Sequence, residues 1–301
     1  MEQNQFYKSN YLKTCSLVKK TSYLKVKDHS VSGESFELIC NETFDFLETQ
    51  PQPSLDKLPH YYKSEDYISH TDSQRTLFEK AYQFVKKITL KRKLKIIRSN
   101  SEEGNNLLDF GCGTGDFLKE AQQNGWNVCG IEPDEQARQI ANKKTNNVVF
   151  NSEYISKFKK DSFDVITLWH VLEHLPNTKE QLSVFNKLLK PNGMLIVAVP
   201  NYKSYDANYY KNFWAAFDVP RHLWHFSRTA INNLVSCENM KVIKTYPMLF
   251  DAFYVSLLSE KYKSGKMKPL HSFLIGCLSN LRAMRTKEYS SLIYCIKKNK
   301  I

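Results

Sequence analysis

The stretch Leu107-Leu-Asp-Phe-Gly-Cys-Gly-Thr-Gly-Asp-Phe-Leu118 constrains the fold more than any other in the chain. Leu107 to Phe110 reads as a short buried strand, and Phe117, Leu118 and Ala121 then recur at helical spacing. Between them stand glycines at 111, 113 and 115, where a Cβ would obstruct close approach of the backbone to a ligand. Strand, glycine turn and helix in that order bring free N–H groups and a helix N-terminus to one point. Such a point favours a negatively charged or carboxylate-bearing group and implies a nucleotide-type cofactor.

In the dinucleotide fingerprint a glycine or alanine follows the second glycine by three residues, and here that position is Asp116. The mismatch argues against NAD and against an oxidoreductase. What remains, Asp109-x-Gly111-Cys112-Gly113-Thr114-Gly115, resembles motif I of the class I S-adenosyl-L-methionine (SAM)-dependent methyltransferases. The resemblance continues along the chain. Asn127 to Ile131 makes a second strand ending in Glu132-Pro133-Asp134, Asp161 to His170 looks like the fourth-strand motif, and Leu188 to Val199 like the helix, turn and fifth strand after it.

This resemblance implies an α/β fold, a doubly wound Rossmann-like sheet of seven strands that ends in an antiparallel hairpin. Lys241-Val-Ile-Lys-Thr-Tyr246 and Ser291-Leu-Ile-Tyr-Cys-Ile-Lys297 correspond to that hairpin. It also implies S-adenosyl-L-methionine as cofactor. Glu132 would accept the ribose hydroxyls and Asp109 would fix the turn and the amino-acid end of the ligand. Gly111, Cys112, Gly113, Thr114, Gly115, Pro133 and Trp169 would complete the site. The nearest branch in kind contains the ubiquinone-pathway and the sugar or polyketide O-methyltransferases, so a small-molecule, glycan or lipid-linked oxygen is the expected acceptor. An RNA methyltransferase and a catalytically silent SAM-binding protein are the alternatives.

Methyl transfer needs an aligned acceptor, removal of its proton when it is a hydroxyl, and exclusion of water. A histidine suits the proton transfer. His174 is the first candidate base and His222 the second, with His170 and His225 behind them. No metal is expected. In His170-x-x-Glu173-His174, with His222 or His225 as a further donor, a histidine stands where relatives with a divalent ion carry an acid, which disfavours magnesium and would suit only a softer ion such as zinc.

Residues 201–228 read as a substrate cap because histidine, arginine and aromatic residues crowd a connection over the sheet. Arg221 and Arg228 could hold an anionic substrate or form structural ion pairs. Residues 247–288 read as a helical insert: Phe250, Phe253, Tyr254, Leu257 and Leu258 share one helical face, and Phe273, Leu274, Cys277, Leu278 and Leu281 another. That insert is expected to pack on the core or a second subunit, with peripheral membrane contact as the sharper reading.

The domain plan is a degenerate zinc-ribbon-like segment over 1–55, a helical lead-in over 56–106 and the methyltransferase domain over 107–301. Cys15 and Cys40 lack their C-x-x-C partners, which are Val18 and Thr43, so with His29 as the only other donor a structural zinc falls short of four ligands. The seven cysteines form no C-x-x-C pair and suit reduced thiols. A composition of 42% hydrophobic and 13% aromatic residues excludes disorder. With neither a leader-like N-terminus nor an apolar run of about 18 residues, a cytoplasmic protein is expected. The net charge of +12 raises nucleic acid as a partner, but the basic run 86–95 is amphipathic and reads as a solvated helix face.

Overall fold

The computed structural model describes residues 20–54, 56–62, 77–101 and 104–299; Cys15 and Val18 lie outside them. Strands β1 (Lys20–Lys27), β2 (Ser35–Asn41) and β3 (Phe46–Gln50) form an antiparallel meander. After them comes α1 (Leu77–Asn100), which leads into the main sheet. The alternation β4 (Asn106–Phe110), α2 (Asp116–Gln123), β5 (Asn127–Ile131), α3 (Glu135–Thr145), β6 (Val149–Phe150), β7 (Phe163–Trp169), α4 (Thr178–Leu188) and β8 (Leu189–Pro200) follows the apolar runs of the sequence. Beyond it lie α5 (Tyr205–Tyr210), β9 (Trp224–Phe226), α6 (Arg228–Ser236), β10 (Met240–Pro247), α7 (Asp251–Ser264), α8 (Pro269–Thr286) and β11 (Ser291–Lys298).

The main sheet has seven strands in the order β10-β11-β8-β7-β4-β5-β6. The pairings from β8 to β6 are parallel, while β11 runs antiparallel to both β8 and β10. The expected doubly wound sheet with a closing hairpin is therefore present. Parallel strands buried on both faces need continuous apolar runs, and Met194 to Val199 of β8 are all buried. One face carries Leu108, Ile166, Leu195 and Phe185; the other carries Leu107, Val165, Ile196 and Leu118. The order reverses at β4, and crevices at such switch points receive ligands at the carboxyl ends of the strands.

The N-terminal strands take a fourth member from far along the chain. β9 pairs antiparallel with β3, Leu47 opposite His225. Thr49 Oγ1 donates to the carbonyl of His222 at 2.7 Å, and Ser227 Oγ donates to Asp45 Oδ2 at 2.7 Å. Leu38, Leu47, Tyr210, Trp214 and Phe217 share one apolar cluster across this junction. His29 stacks on Tyr262 at 4.8 Å.

The basic run is an amphipathic helix as expected, with Leu94, Ile96 and Ile97 buried and Lys91 and Lys95 exposed; the exception is Lys93, which turns inward over Trp169. The insert forms two helices; on α7 Phe253, Leu257 and Leu258 are half-buried, while the large apolar face of α8 does not cover the core. On α8 the buried residues are Ser272, Ile275, Gly276, Ser279 and Ala283, whereas Phe273, Leu274, Leu278 and Leu281 are exposed. On α7, Ala252, Ser256, Ser259 and Glu260 are buried and Tyr254 is exposed.

Candidate active site

The glycine turn leaves β4 at Phe110. Gly111 N–H donates to the Ile131 carbonyl at 2.8 Å, which ties the turn to the neighbouring strand. The glycines divide their work. A Cβ on Gly115 would stand 2.9 Å from the Cα of Ala141, so this glycine admits α3. Gly113, at φ +53°, would point a Cβ into open space with nothing within 4 Å. At Gly111 an added Cβ would stand 2.5 Å from Val171, so of the three only Gly113 has open space where its side chain would be.

Glu132, at the end of β5, is buried. Its Oε2 accepts from Gly113 N–H at 2.7 Å and its Oε1 from Asp134 N–H at 2.9 Å. Burial raises its pKa against the pull of these two bonds. Each oxygen retains a lone pair for a further donor. Arg138 donates to the carbonyls of Glu132 and Pro133 at 2.8 and 3.0 Å and fixes that corner. Cys112 is buried against the sheet, and its thiol is pushed up by burial. Thr114 Oγ1 donates to Asp116 at 3.3 Å. Asp116 opens α2 and pairs with Lys86 at 2.6 Å and Lys144 at 2.8 Å.

Asp109 accepts from Thr167 Oγ1 at 2.6 Å, and burial pushes its carboxyl up to about 7. The Lys93 ammonium lies 4.2 Å from the centroid of the Trp169 ring, and burial lowers its pKa against the pull of Asp109 and Asp251. Trp169 stacks edge-on with Phe117 at 5.3 Å, and its buried Nε1 meets no acceptor. Acid and aromatic face together form a niche for a cation. Neither Lys93 nor Asp251 was legible as part of this site; on spacing alone Lys93 belongs to a solvated face.

Next to the niche, His170 stands at φ +57° with Nδ1 3.4 Å from Glu173 Oε1 and Nε2 3.2 Å from Asp251 Oδ2. Burial opposes its charge, yet Asp251 and Glu173 push its pKa up to about 9. His170 is therefore an imidazolium at neutral pH and is poorly suited to take a proton. Glu173 is 1% exposed and neither of its oxygens has a hydrogen bond, so the imidazolium supplies its countercharge.

His174 and His222 come together, their ring centroids 4.6 Å apart. His174 Nδ1 lies 3.0 Å from the Arg221 carbonyl and 2.9 Å from the Tyr62 hydroxyl. His222 Nδ1 lies 2.9 Å from the Ala216 carbonyl. A carbonyl only accepts, so each Nδ1 donates to it and in the neutral ring the lone pair falls on Nε2. Burial holds His222 well below its ordinary pKa. His225 is held near 3 by burial, and its Nε2 meets Thr49 Oγ1 at 3.0 Å. One ligand atom each from Glu173, His174 and His222 lie within 4.8 Å of one another, close enough to share a cation. The His170 imidazolium beside Glu173 opposes one. Arg221 is paired with Asp218, and Arg228 lies 3.6 Å from Glu288, so both arginines already meet carboxylates.

Residues 70–245, more than half of the chain, match the family model described as a methyltransferase domain. An uncharacterized protein of Methanocaldococcus jannaschii is 37% identical over 110 residues, 36% of this chain and 41% of that one. The ubiquinone biosynthesis O-methyltransferase of Hydrogenovibrio crunogenus is 30% identical over 114 residues, 35% of this chain and 47% of the relative. The matches thus span less than half the length of these relatives. Among solved structures, a SAM-dependent methyltransferase from Archaeoglobus fulgidus superposes with a TM-score of 0.50 at 18% identity, over 74% of this chain and 98% of that one. Magnesium protoporphyrin IX methyltransferase from Synechocystis, with bound SAH, gives 0.51 at 15% identity, over 81% and 94%. At such identities the likeness is one of fold.

Proposed function

We propose, from the premise that the chain belongs to the methyltransferase-domain family and uses S-adenosyl-L-methionine, that it methylates an oxygen of a small-molecule, glycan or lipid-linked acceptor. The cofactor supplies an electrophilic methyl on a sulfonium. Spare lone pairs on Glu132 suit its ribose, the Asp109 carboxyl its ammonium and the Trp169 face its sulfonium, with open backbone at Gly113 to let it approach. Oxygen is favoured over nitrogen by one observation: the imidazoles of His174, five residues beyond Trp169, and His222 are paired, each with its Nδ1 against a backbone carbonyl. An acceptor amine needs no strong base, whereas a hydroxyl does. The name of the ubiquinone-pathway relatives points the same way.

His174 would take the hydroxyl proton on Nε2 while the Arg221 carbonyl steadies the resulting imidazolium through Nδ1–H. His222, buried and neutral, would position it. The cap 201–228 would exclude water, and its arginines would shape the entrance. Calorimetry with S-adenosylhomocysteine and NAD tests the cofactor half. Tight binding of the former, weakened by about 1 kcal/mol or more in Glu132→Ala, is expected from lost charge-assisted hydrogen bonds. Transfer of labelled methyl to catechol, polyprenyl-phenol and glycan hydroxyls but not to amines tests the acceptor half. Label appearing only in RNA or in amines would overturn it.

A further inference from the structure

Helix α8 is built inside out. Its inward face is Ser272, Ile275, Gly276, Ser279 and Ala283. These small residues admit close neighbours: a Cβ on Gly276 would lie 2.5 Å from the Phe253 ring, and Ser279 Oγ donates to Asp206 Oδ1 at 2.7 Å. Its outward face carries Leu270, Phe273, Leu274, Leu278, Leu281 and Met284, each between 43% and 84% exposed. At 1.5 Å rise per residue, Leu270 to Met284 is an apolar ridge roughly 21 Å long. An uninterrupted apolar surface of this length in water marks an interaction face.

The charge around the ridge has one sign. From residue 261 to 287 the chain has seven lysines and arginines and no aspartate or glutamate. Two acids bound the stretch: Glu260 is 2% exposed and meets Lys268 at 3.6 Å and His271 at 3.2 Å, and Glu288 lies 3.6 Å from Arg228 and accepts from Asn201 at 2.7 Å. A second copy laid on the same face would bring like charges together. Among the described residues no helix is long and apolar enough to cross a membrane, so the ridge would lie along a bilayer rather than through it.

We propose that α8 seats the protein on a bilayer bearing anionic lipid headgroups, with the ridge among the acyl chains and the cations on the phosphates. The seat has an orientation. The other side of α8 holds the cap: Arg282 lies 4.3 Å over the Tyr205 ring and His271 meets the Tyr209 hydroxyl at 3.0 Å. Docking therefore places residues 205–209 one helix away from the headgroup layer. It does so whether or not the acceptor is itself lipid-linked.

Flotation of the full chain with phosphatidylcholine vesicles, with and without phosphatidylglycerol, tests the inference. The protein should float with the phosphatidylglycerol-containing vesicles and stay behind with phosphatidylcholine alone. Leu270→Asn with Phe273→Asn, and separately Lys266→Gln with Arg285→Gln, should each cut the bound fraction by about tenfold. All four sites are exposed, so S-adenosylhomocysteine affinity should not move; Phe273 stacks on Phe253 at 5.3 Å, so only that variant should melt slightly lower. Absence of flotation with phosphatidylglycerol would overturn the proposal. So would a wild-type dimer in light scattering that the Leu270/Phe273 variant converts to monomer, since the ridge would then belong to a second copy.

Discussion

The Nδ1 of His174 lies 3.0 Å from the carbonyl oxygen of Arg221, which turns Nε2 of His174 into the ring's only acceptor. His174→Gln keeps a polar group there but removes the base. The expected result is a fall in kcat of about 10²- to 10⁴-fold with S-adenosylhomocysteine affinity unchanged. A chelator should leave wild-type activity intact, because His170 already balances Glu173. A chelator-sensitive rate would transfer His174 and His222 to a metal.

Lys93 and Asp109 share the buried cation niche. In Lys93→Met the Asp109 carboxyl loses its neighbouring cation, and a pKa already pushed up to about 7 by burial moves higher. Asp109 is then protonated at neutral pH and cannot hold an ammonium. Affinity for S-adenosylhomocysteine should drop about tenfold near neutrality and recover as pH rises through the new pKa. Calorimetry across that range would read it; a loss independent of pH would mean that Lys93 contacts the ligand directly.

Gly113 and Gly115 should separate binding from folding. Gly113→Ala adds a methyl to open space at φ +53°, at a backbone cost of about 1 kcal/mol, so the protein should fold and lose most of its cofactor affinity. Gly115→Ala drives a methyl against the Ala141 backbone at 2.9 Å and should lower the melting temperature more than Gly113→Ala does. Thermal melts with and without S-adenosylhomocysteine distinguish the two.

Asp28 is buried and accepts from Ser30 N and Oγ, Val31 N, and Ser32 N and Oγ, at 2.8 to 3.1 Å. Burial opposes its charge, but the Ser32 and Ser30 bonds prevail and hold its pKa below the ordinary value. A depressed folded pKa contributes stability above the unfolded value of about 3.9, lost as pH falls through the folded one. Asp28→Asn should cost about 1–3 kcal/mol at neutral pH and flatten the acid limb of the stability curve. An unchanged limb would assign acid unfolding to other carboxylates, such as Asp45.

What could be read from residue order follows from what each pattern encodes. The parallel strands announce themselves because both of their faces are apolar, as in Met194 to Val199. The glycine turn is equally plain, since few other arrangements need glycine at 111, 113 and 115. Direction is what periodicity omits. The spacing of Phe273, Leu274, Leu278 and Leu281 specifies one helical face, not whether that face meets the core or the outside, and here small residues win the inside. Lys93 was hidden for the same reason. Among the basic and apolar positions around it nothing marks it until β7 places Trp169 beneath it.

The pairing of β3 with β9 has a consequence for how the chain is made. Thr49 and His225 are 176 residues apart and meet at 3.0 Å. At about 5–20 residues per second of synthesis, the outer edge of β3 waits on the order of ten to thirty seconds for its partner strand to leave the ribosome. During that interval the nascent meander shows a free edge to every other chain nearby. Slow translation would lengthen this vulnerable window without altering a single contact of the finished molecule.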